Sequence, residues 1–174
     1  MANHIKTVIK FKNLKKQDID LLLDLLAVPT EDSSYEIDFN KIIPEPEDES
    51  ECPDIYKVNK DSHIELLKAK PWFNWYDWHI NHWGTKWDAF NCYTIIGKTY
   101  LTFVFETAWN VALPIIYKLD ILGYDIDVAY ADEDYGSNCG KMKYTKGESG
   151  WDEYDEFDGI KNPVQFARNL WNRY

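Results

Sequence analysis

The stretch WFNWYDWHINHWGTKWDAFN, residues 72–91, decides how the fold of this chain is read. It places five tryptophans around a single glycine, Gly84. Large aromatic side chains bury extensive apolar surface, so a segment this rich in them belongs to a core and not to a linker. We therefore expect a helix over residues 73–83 that ends at Gly84 through a left-handed C-cap.

Hydrophobic periodicity predicts the elements on either side of this stretch. Residues 4–12 alternate, which predicts a half-buried strand with a basic outer face. Residues 15–27 change to helical spacing, and Pro29 ends that helix. The remaining expected elements are a short strand through Tyr35, Ile37 and Phe39, a helix over 62–70, strands over 87–95 and 99–107, a helix over 111–122 capped by Asn110, strands over 124–131, 138–146 and 151–157, and a final helix from Asn162.

This order of elements predicts an α+β fold, in which an antiparallel sheet has helices on one face and is followed by a C-terminal strand and helix extension. A length of 174 residues suits one domain. We therefore expect residues 1–174 to form a single domain. It would carry an acidic insertion at about 44–61 and an extension at about 138–174.

The tryptophan segment also resembles a known family. Residues 81–89, NHWGTKWDA, are similar to the hallmark of the YubB ferredoxin-like family, which comprises small proteins of bacteriophages, plasmids and their hosts. Further fitting segments follow in order: Ala2-Asn3-His4, Glu106-Thr107-Ala108-Trp109, and Ala131-Asp132-Glu133 with Cys139-Gly140 after it. The resemblance implies a ferredoxin-like fold without an iron–sulfur cluster and an origin in a mobile element. It assigns no enzymatic activity to any residue.

The net charge of the chain limits the classes of partner that it can bind. The formal net charge is −11, with 30 acidic and 19 basic residues, so the chain as a whole would be repelled by nucleic acid. A basic protein surface is the partner that such a field attracts, although solubility alone also accounts for an acidic chain. Neither a signal peptide nor a long apolar run is evident. We expect a protein of the bacterial host cytoplasm that contacts no membrane.

One acidic segment differs from an ordinary solvated loop because aromatic residues alternate with its carboxylates. We predict that it binds a partner through Trp151, Asp152, Glu153, Tyr154, Asp155 and Glu156. The acidic runs at 45–51 and 132–134 lack this interleaving. The alternative for all three runs is a solvated loop.

A small-ligand site is a second possibility around the tryptophan segment. Its candidate residues are Trp83, Thr85, Lys86, Trp87 and Trp109. The structural alternative, which we favour, is that Gly84 turns the chain and Trp87 packs into the core near Trp109. A face lined by Lys6, Lys10 and Lys12 could also hold an anion. If the strand carrying Asp125 and Asp127 is its neighbour, cross-strand ion pairs are expected instead.

Signals for metal binding and catalysis are weak. His79 and His82 lie three residues apart and are candidate zinc ligands, but no third ligand is evident. The three cysteines are not spaced as a metal or disulfide framework, and Cys92 lies in an apolar strand where a thiol is usually inert. We find no nucleophile motif and no phosphate loop. We therefore expect no catalytic residues, no metal and no cofactor.

Taken together, these patterns favour a non-enzymatic interaction protein of a phage or another mobile element. Its expected target is a host protein with a basic nucleic-acid-binding surface, within a nucleic-acid-processing or immune complex such as an anti-phage, CRISPR-type system. The alternative function is the binding or sequestration of a small nucleotide signal.

Overall fold

The computed structural model describes residues 3–46, 75–155 and 160–174. Its strands are β1 His4–Lys12, β2 Ala27–Pro29, β3 Tyr35–Ile37, β4 Phe90–Ile96, β5 Leu101–Ala108, β6 Asp125–Asp132, β7 Cys139–Tyr144 and β8 Asp152–Asp155. Its helices are α1 Lys16–Leu26, α2 Phe39–Ile42, α3 Trp75–His82, α4 Leu113–Lys118 with a 3-10 turn at Leu119–Leu122, and α5 Pro163–Arg173. The helix predicted over 62–70 lies outside the described residues.

Six of the strands form one antiparallel sheet in the order β4-β5-β1-β6-β7-β8. Its first four strands, with α1 after β1 and α4 after β5, have the strand–helix–strand–strand–helix–strand order of a ferredoxin-like unit. Strands β7 and β8 extend that unit at one edge. At the opposite edge, the register of β4 against β5 shifts between Phe90 and Tyr93. The predicted α+β ferredoxin-like class is confirmed.

The main core lies between one face of the sheet and helices α1 and α4. Alternate residues of β1 point into it, including the fully buried Ile9 and Phe11. Helix α1 contributes the face predicted from its spacing, namely Ile19, Leu22, Leu23 and Leu26. The Phe39 ring meets the Trp83 ring edge-on, with centroids 5.8 Å apart. The tryptophan segment therefore does anchor the core.

A second, smaller core lies on the opposite face of the sheet. Helix α5 packs there, and its Ala167 and Leu170 contact a cluster that includes Val8 and Val104. The Trp171 indole nitrogen fixes the helix by donating to the main-chain oxygens of Ala131 and Asp132, each at 3.1 Å. The C-terminal extension thus covers part of the sheet face that was expected to be open.

Two local predictions are wrong. Phe39 begins helix α2 and does not continue a strand, because the Asp38 carboxylate caps the helix by accepting from the Asn40 amide at 2.8 Å. Asn110 does not cap α4. It belongs to the turn after β5, where its carbonyl accepts from the Thr107 hydroxyl at 2.7 Å, and Ala112 takes the cap position.

Gly84 turns the chain after helix α3, as predicted. Its φ of 79° lies in the left-handed region, which glycine adopts without strain. A Cβ at this position would also lie 2.8 Å from the Pro114 side chain. None of the helices in the described ranges combines the length and apolar character needed to cross a membrane.

Candidate functional site

Four segments meet at one end of the sheet, where β1 begins and β5 ends. The Trp109 amide donates to the Asn3 carbonyl at 2.8 Å, and the Glu133 amide donates to the His4 carbonyl at 3.0 Å. These bonds fix the chain after β5 and after β6 to the start of β1. We call the side chains displayed here the sheet-end surface, and they are Tyr76, Lys86, Trp87, Trp109, Glu133 and Asp134.

The Lys86 ammonium lies between two exposed indoles. Its nitrogen is 4.8 Å from the Trp87 ring centroid and 5.0 Å from that of Trp109. The two tryptophans are 42% and 38% exposed, respectively. A cation over an indole face is attracted by the ring quadrupole, so Lys86 holds both rings in place. The Tyr76 ring extends the arrangement, with its centroid 6.2 Å from that of Trp109.

The backbone at Trp109 is strained. Its φ is 72°, in the left-handed region that bulky residues rarely occupy and that costs roughly 1–3 kcal/mol for a residue of this kind. The Asn138 side-chain amide donates to the Trp109 carbonyl at 3.3 Å. A bulky ring held outward at a cost in backbone energy is a pattern typical of functional positions.

Exposed carboxylates lie at the same end of the sheet as these rings. Glu133 accepts from the His4 main-chain amide at 3.0 Å, and Asp134 accepts from the Asn3 side-chain amide at 2.9 Å. The His4 ring packs edge-on against Phe90 at 5.0 Å, and Phe90 packs against Trp87 at 6.3 Å. The acidic and aromatic side chains therefore lie at the same end of the sheet, on either side of the start of β1.

The residues predicted for a small-ligand site divide into two groups. Trp83 and Thr85 are fully buried, and their polar atoms are used internally. The Trp83 indole nitrogen donates to the Ile43 carbonyl at 2.9 Å, and the Thr85 hydroxyl donates to the Ala108 carbonyl at 2.8 Å. Lys86, Trp87 and Trp109 lie together at the surface. The expectation that Trp87 packs into the core is wrong, because Thr85 takes the buried position after the turn at Gly84.

His79 lies directly beneath this surface. Its ring is buried, its Nδ1 donates to the Lys86 carbonyl at 2.7 Å, and its Nε2 pairs with the Glu45 carboxylate. His82, one helical turn further, is half-buried, stacks on Trp78 at 4.4 Å and donates from Nδ1 to the Trp78 carbonyl at 2.9 Å. Within the described ranges no group of three or more metal-ligating side chains converges. Each of the two histidines uses its Nδ1 on a main-chain carbonyl.

Asp88 is a partly buried acidic residue close to His79. It accepts from the main-chain amides of Phe39 at 3.1 Å and Ala89 at 2.6 Å. Burial raises the pKa of Asp88 to about 6, while those two bonds act in the opposite direction. Burial likewise raises the pKa of the Cys92 thiol to about 12, so that thiol stays protonated at neutral pH.

The predicted partner-binding segment lies along the edge strand β8. Asp152 and Glu153 are exposed, and Glu153 accepts from the Tyr117 hydroxyl at 2.7 Å. Trp151 is half-buried, with its ring centroid 5.5 Å from that of Tyr144 and 6.4 Å from that of Tyr117. Its ring therefore supports the core at this edge. Glu156 and the side chains of Tyr154 and Asp155 lie outside what the structure describes.

The lysines of β1 have separate partners. Strand β6 is a neighbour of β1, and Lys12 pairs with Asp127 at 2.7 Å, so the expected cross-strand ion pair is confirmed for Lys12 alone. Lys6 is buried and lies 3.7 Å from Glu106 on β5. The Lys10 ammonium lies 4.6 Å from the Tyr100 ring centroid.

Three members of the sheet-end surface, namely Tyr76, Glu133 and Asp134, are not among the predicted site residues, and the sequence singles out Glu133 and Asp134 only as part of an acidic run. The sequence signal for Glu133 and Asp134 is their position at the end of a strand. Glu106–Trp109 and Ala131–Glu133 both end strands, and β5 and β6 flank β1 in a ferredoxin-like sheet. The ends of those two strands therefore had to meet beside His4.

Comparison with known proteins gives one family. Residues 82–171, just over half of the chain, match the family model described as the ferredoxin-like domain in Api92-like protein. No curated protein and no solved structure matches the chain. Most of the sheet-end surface, from Lys86 through Asp134, falls within the matched residues.

Proposed function

The chain belongs to the family of the ferredoxin-like domain in Api92-like protein, and from this premise we propose that it is a non-enzymatic interaction protein of a phage or another mobile element. The resemblance of residues 81–89 to the YubB family supports the mobile-element origin. Its target is a basic surface on a host nucleic-acid-processing or immune complex, which it blocks.

The observation that carries this proposal is the pair of exposed indoles, Trp87 and Trp109, held on either side of Lys86. Tryptophan and tyrosine are enriched among the residues that dominate binding energy at interfaces. Here Tyr76 adds a third exposed ring. The contacts with Lys86 restrict the Trp87 and Trp109 rings in the free protein, which lowers the entropy cost of ordering them on binding.

The charge around these rings favours a basic partner. Glu133 and Asp134 are exposed at the same end of the sheet as Trp109, and the chain carries a net charge of −11. Such a field speeds encounter with a positive surface and repels a free nucleic-acid strand. Asp152 and Glu153 on β8 add to the same field from the edge of the sheet.

Affinity capture from a bacterial host lysate, read by mass spectrometry, tests the proposal. Wild type should retain a basic host protein, and Trp87→Ala and Trp109→Asn should each lose it. Glu133→Gln with Asp134→Asn should weaken capture and its salt sensitivity, because Gln and Asn keep the acceptor atoms while removing both charges. Ile121→Ala is the matched control, since Ile121 is an exposed apolar side chain in the 3-10 turn before β6, towards the opposite end of the sheet. Equal capture by wild type and both tryptophan variants would contradict the proposal.

Capture by Asp152→Asn with Glu153→Gln tests the predicted C-terminal segment separately. A loss comparable to that of the Glu133 and Asp134 pair would place β8 in the interface. Unchanged capture would confine the interface to the sheet-end surface.

A second function is favoured by one contact of the same surface. Lys86 between two indoles offers an ammonium for a phosphate and ring faces for a base. A nucleotide-sequestering protein would use both. Calorimetry with a panel of nucleotides distinguishes the two functions, because sequestration predicts heat of binding that Lys86→Met abolishes.

A further inference from the structure

Helix α5 leaves a groove between its C-terminal half and the second face of the sheet. The groove has a volume of about 290 Å³. Apolar atoms of Val8 and Ala129 on the sheet and of Phe166 and Leu170 on the helix contribute to its lining. It lies on the face opposite the main core, and no residue of the sheet-end surface lines it.

Three cations line this groove, namely Lys10 from β1, Lys141 from β7 and Arg173 from α5. Asp127 is the one acidic side chain among its lining residues, and Lys12 already pairs with it at 2.7 Å. The groove is therefore positively charged within a chain whose net charge is −11. A local field opposite to that of the whole molecule favours an anion there.

Each of the three cations contacts an aromatic ring and does not pair with a carboxylate of the described residues. Lys10 lies 4.6 Å from the Tyr100 ring centroid, Lys141 lies 5.1 Å from that of Phe166, and the Arg173 guanidinium lies 5.1 Å from that of Tyr174. Within the described part of the chain no carboxylate oxygen comes within 4.0 Å of any of the three. A ring orients a cation without neutralising it, so each keeps its capacity for a charged ligand.

We propose that this groove binds a small organic monophosphate whose body is a flat ring. The phosphate meets Lys10, Lys141 and Arg173, and the ring lies on Val8, Ala129 and Leu170. The groove lies near the lower end of the roughly 300–1,000 Å³ typical of ligand pockets, which suits one ring and one phosphate and not a longer polymer. An aryl phosphate and a nucleoside monophosphate share this chemistry.

Isothermal titration calorimetry with the full chain tests the proposal, using phenyl phosphate, adenosine monophosphate, adenosine and inorganic phosphate. At least one of the two ring-bearing monophosphates should bind. Adenosine and inorganic phosphate should bind at least about tenfold more weakly, because each lacks one half of the recognised chemistry. Which of the two esters binds more tightly distinguishes an aryl from a nucleoside source.

Two variants locate the site. Lys141→Met keeps the apolar stem and removes one charge, and it should weaken binding about tenfold. Lys143→Met is its matched control, since Lys143 is exposed two residues along the same strand and does not line the groove. Ala129→Leu should block the groove while every cation remains. Circular dichroism and the melting temperature report whether each variant is folded.

Lys86→Met separates this site from the sheet-end surface and should leave monophosphate binding unchanged. The inference is overturned if neither ester binds to wild type. It is also overturned if Lys143→Met weakens binding as much as Lys141→Met, or if Lys86→Met abolishes it.

Discussion

The His79 imidazole lies nearly flat on the Trp83 indole, with ring centroids 4.1 Å apart and planes 16° from parallel. The same histidine donates to the Lys86 carbonyl at 2.7 Å. The buried end of helix α3 is thereby joined to the segment that displays Lys86 and Trp87. The sheet-end surface rests on an internal layer of rings and hydrogen bonds.

Replacing His79 should therefore destabilise the protein. We expect His79→Ala to lower the free energy of unfolding by about 2–4 kcal/mol, because it removes a buried ring and leaves the Lys86 carbonyl without that donor. Urea denaturation followed by tryptophan fluorescence measures the change. His82→Ala is the control and should cost less, since His82 is only half-buried. An equal loss for both variants would show that the internal bonds of His79 contribute little.

Trp109 offers a test that separates binding from stability. Asparagine tolerates the left-handed backbone that Trp109 adopts at φ 72°. We expect Trp109→Asn to leave the free energy of unfolding within about 1 kcal/mol of wild type, since relief of strain offsets the lost ring contacts. Partner capture should nevertheless disappear. A large loss of stability in thermal denaturation would indicate that Trp109 serves mainly the fold.

Asp88 should give a distinctive dependence of stability on pH. Its pKa in the folded state is about 6, above the ordinary value of 3.8, so protonated Asp88 favours the folded state. This contribution is fully present below about pH 4 and is lost as the pH rises through about 6. Asp88→Asn keeps the acceptor oxygen and does not ionise. The difference in unfolding free energy between variant and wild type should grow in favour of the variant by about 2 kcal/mol between pH 4 and pH 7. A difference that stays constant with pH would refute the raised pKa.

Trp151 should tolerate loss of its indole nitrogen but not of its ring. Among the described residues that nitrogen is buried without a hydrogen-bond partner, whereas the ring packs on Tyr144 and Tyr117. Trp151→Phe should change the free energy of unfolding by less than about 1 kcal/mol, and Trp151→Ala should lower it by about 2–3 kcal/mol. Denaturant titration of both variants checks the pair. A destabilised Trp151→Phe would reveal a partner for the nitrogen.

Much of the fold was predictable where one physical signal dominates. Alternation located β1 to the residue, and helical spacing located the buried face of α1. Gly84 was predictable because few residues other than glycine accept its backbone angles without strain. Strand β4, in contrast, begins three residues later than predicted. Asp88 binds the Phe39 amide there, and that long-range bond has no local signature.

The sheet-end surface was only partly predictable. Of the five residues predicted for a ligand site, Lys86 lies near Trp87 and Trp109 at the surface, whereas Trp83 and Thr85 are buried. The exposure of Lys86, Trp87 and Trp109 was not predictable. Hydrophobic periodicity distinguishes buried from exposed positions only within a helix or strand, and these three residues lie in the connecting segments. The groove under α5 depends on which face of the sheet that helix covers. The helix's own amphipathic pattern does not specify the face.

The two outermost strands of the six-stranded sheet have a consequence for behaviour at high concentration. A register shift between Phe90 and Tyr93 interrupts the pairing of β4 with β5, and Asp152 and Glu153 place like charges along β8. Edge strands with these features pair poorly with the backbone of another copy of the chain. We therefore expect the protein to resist fibrillar aggregation when crowded, despite its wealth of aromatic side chains.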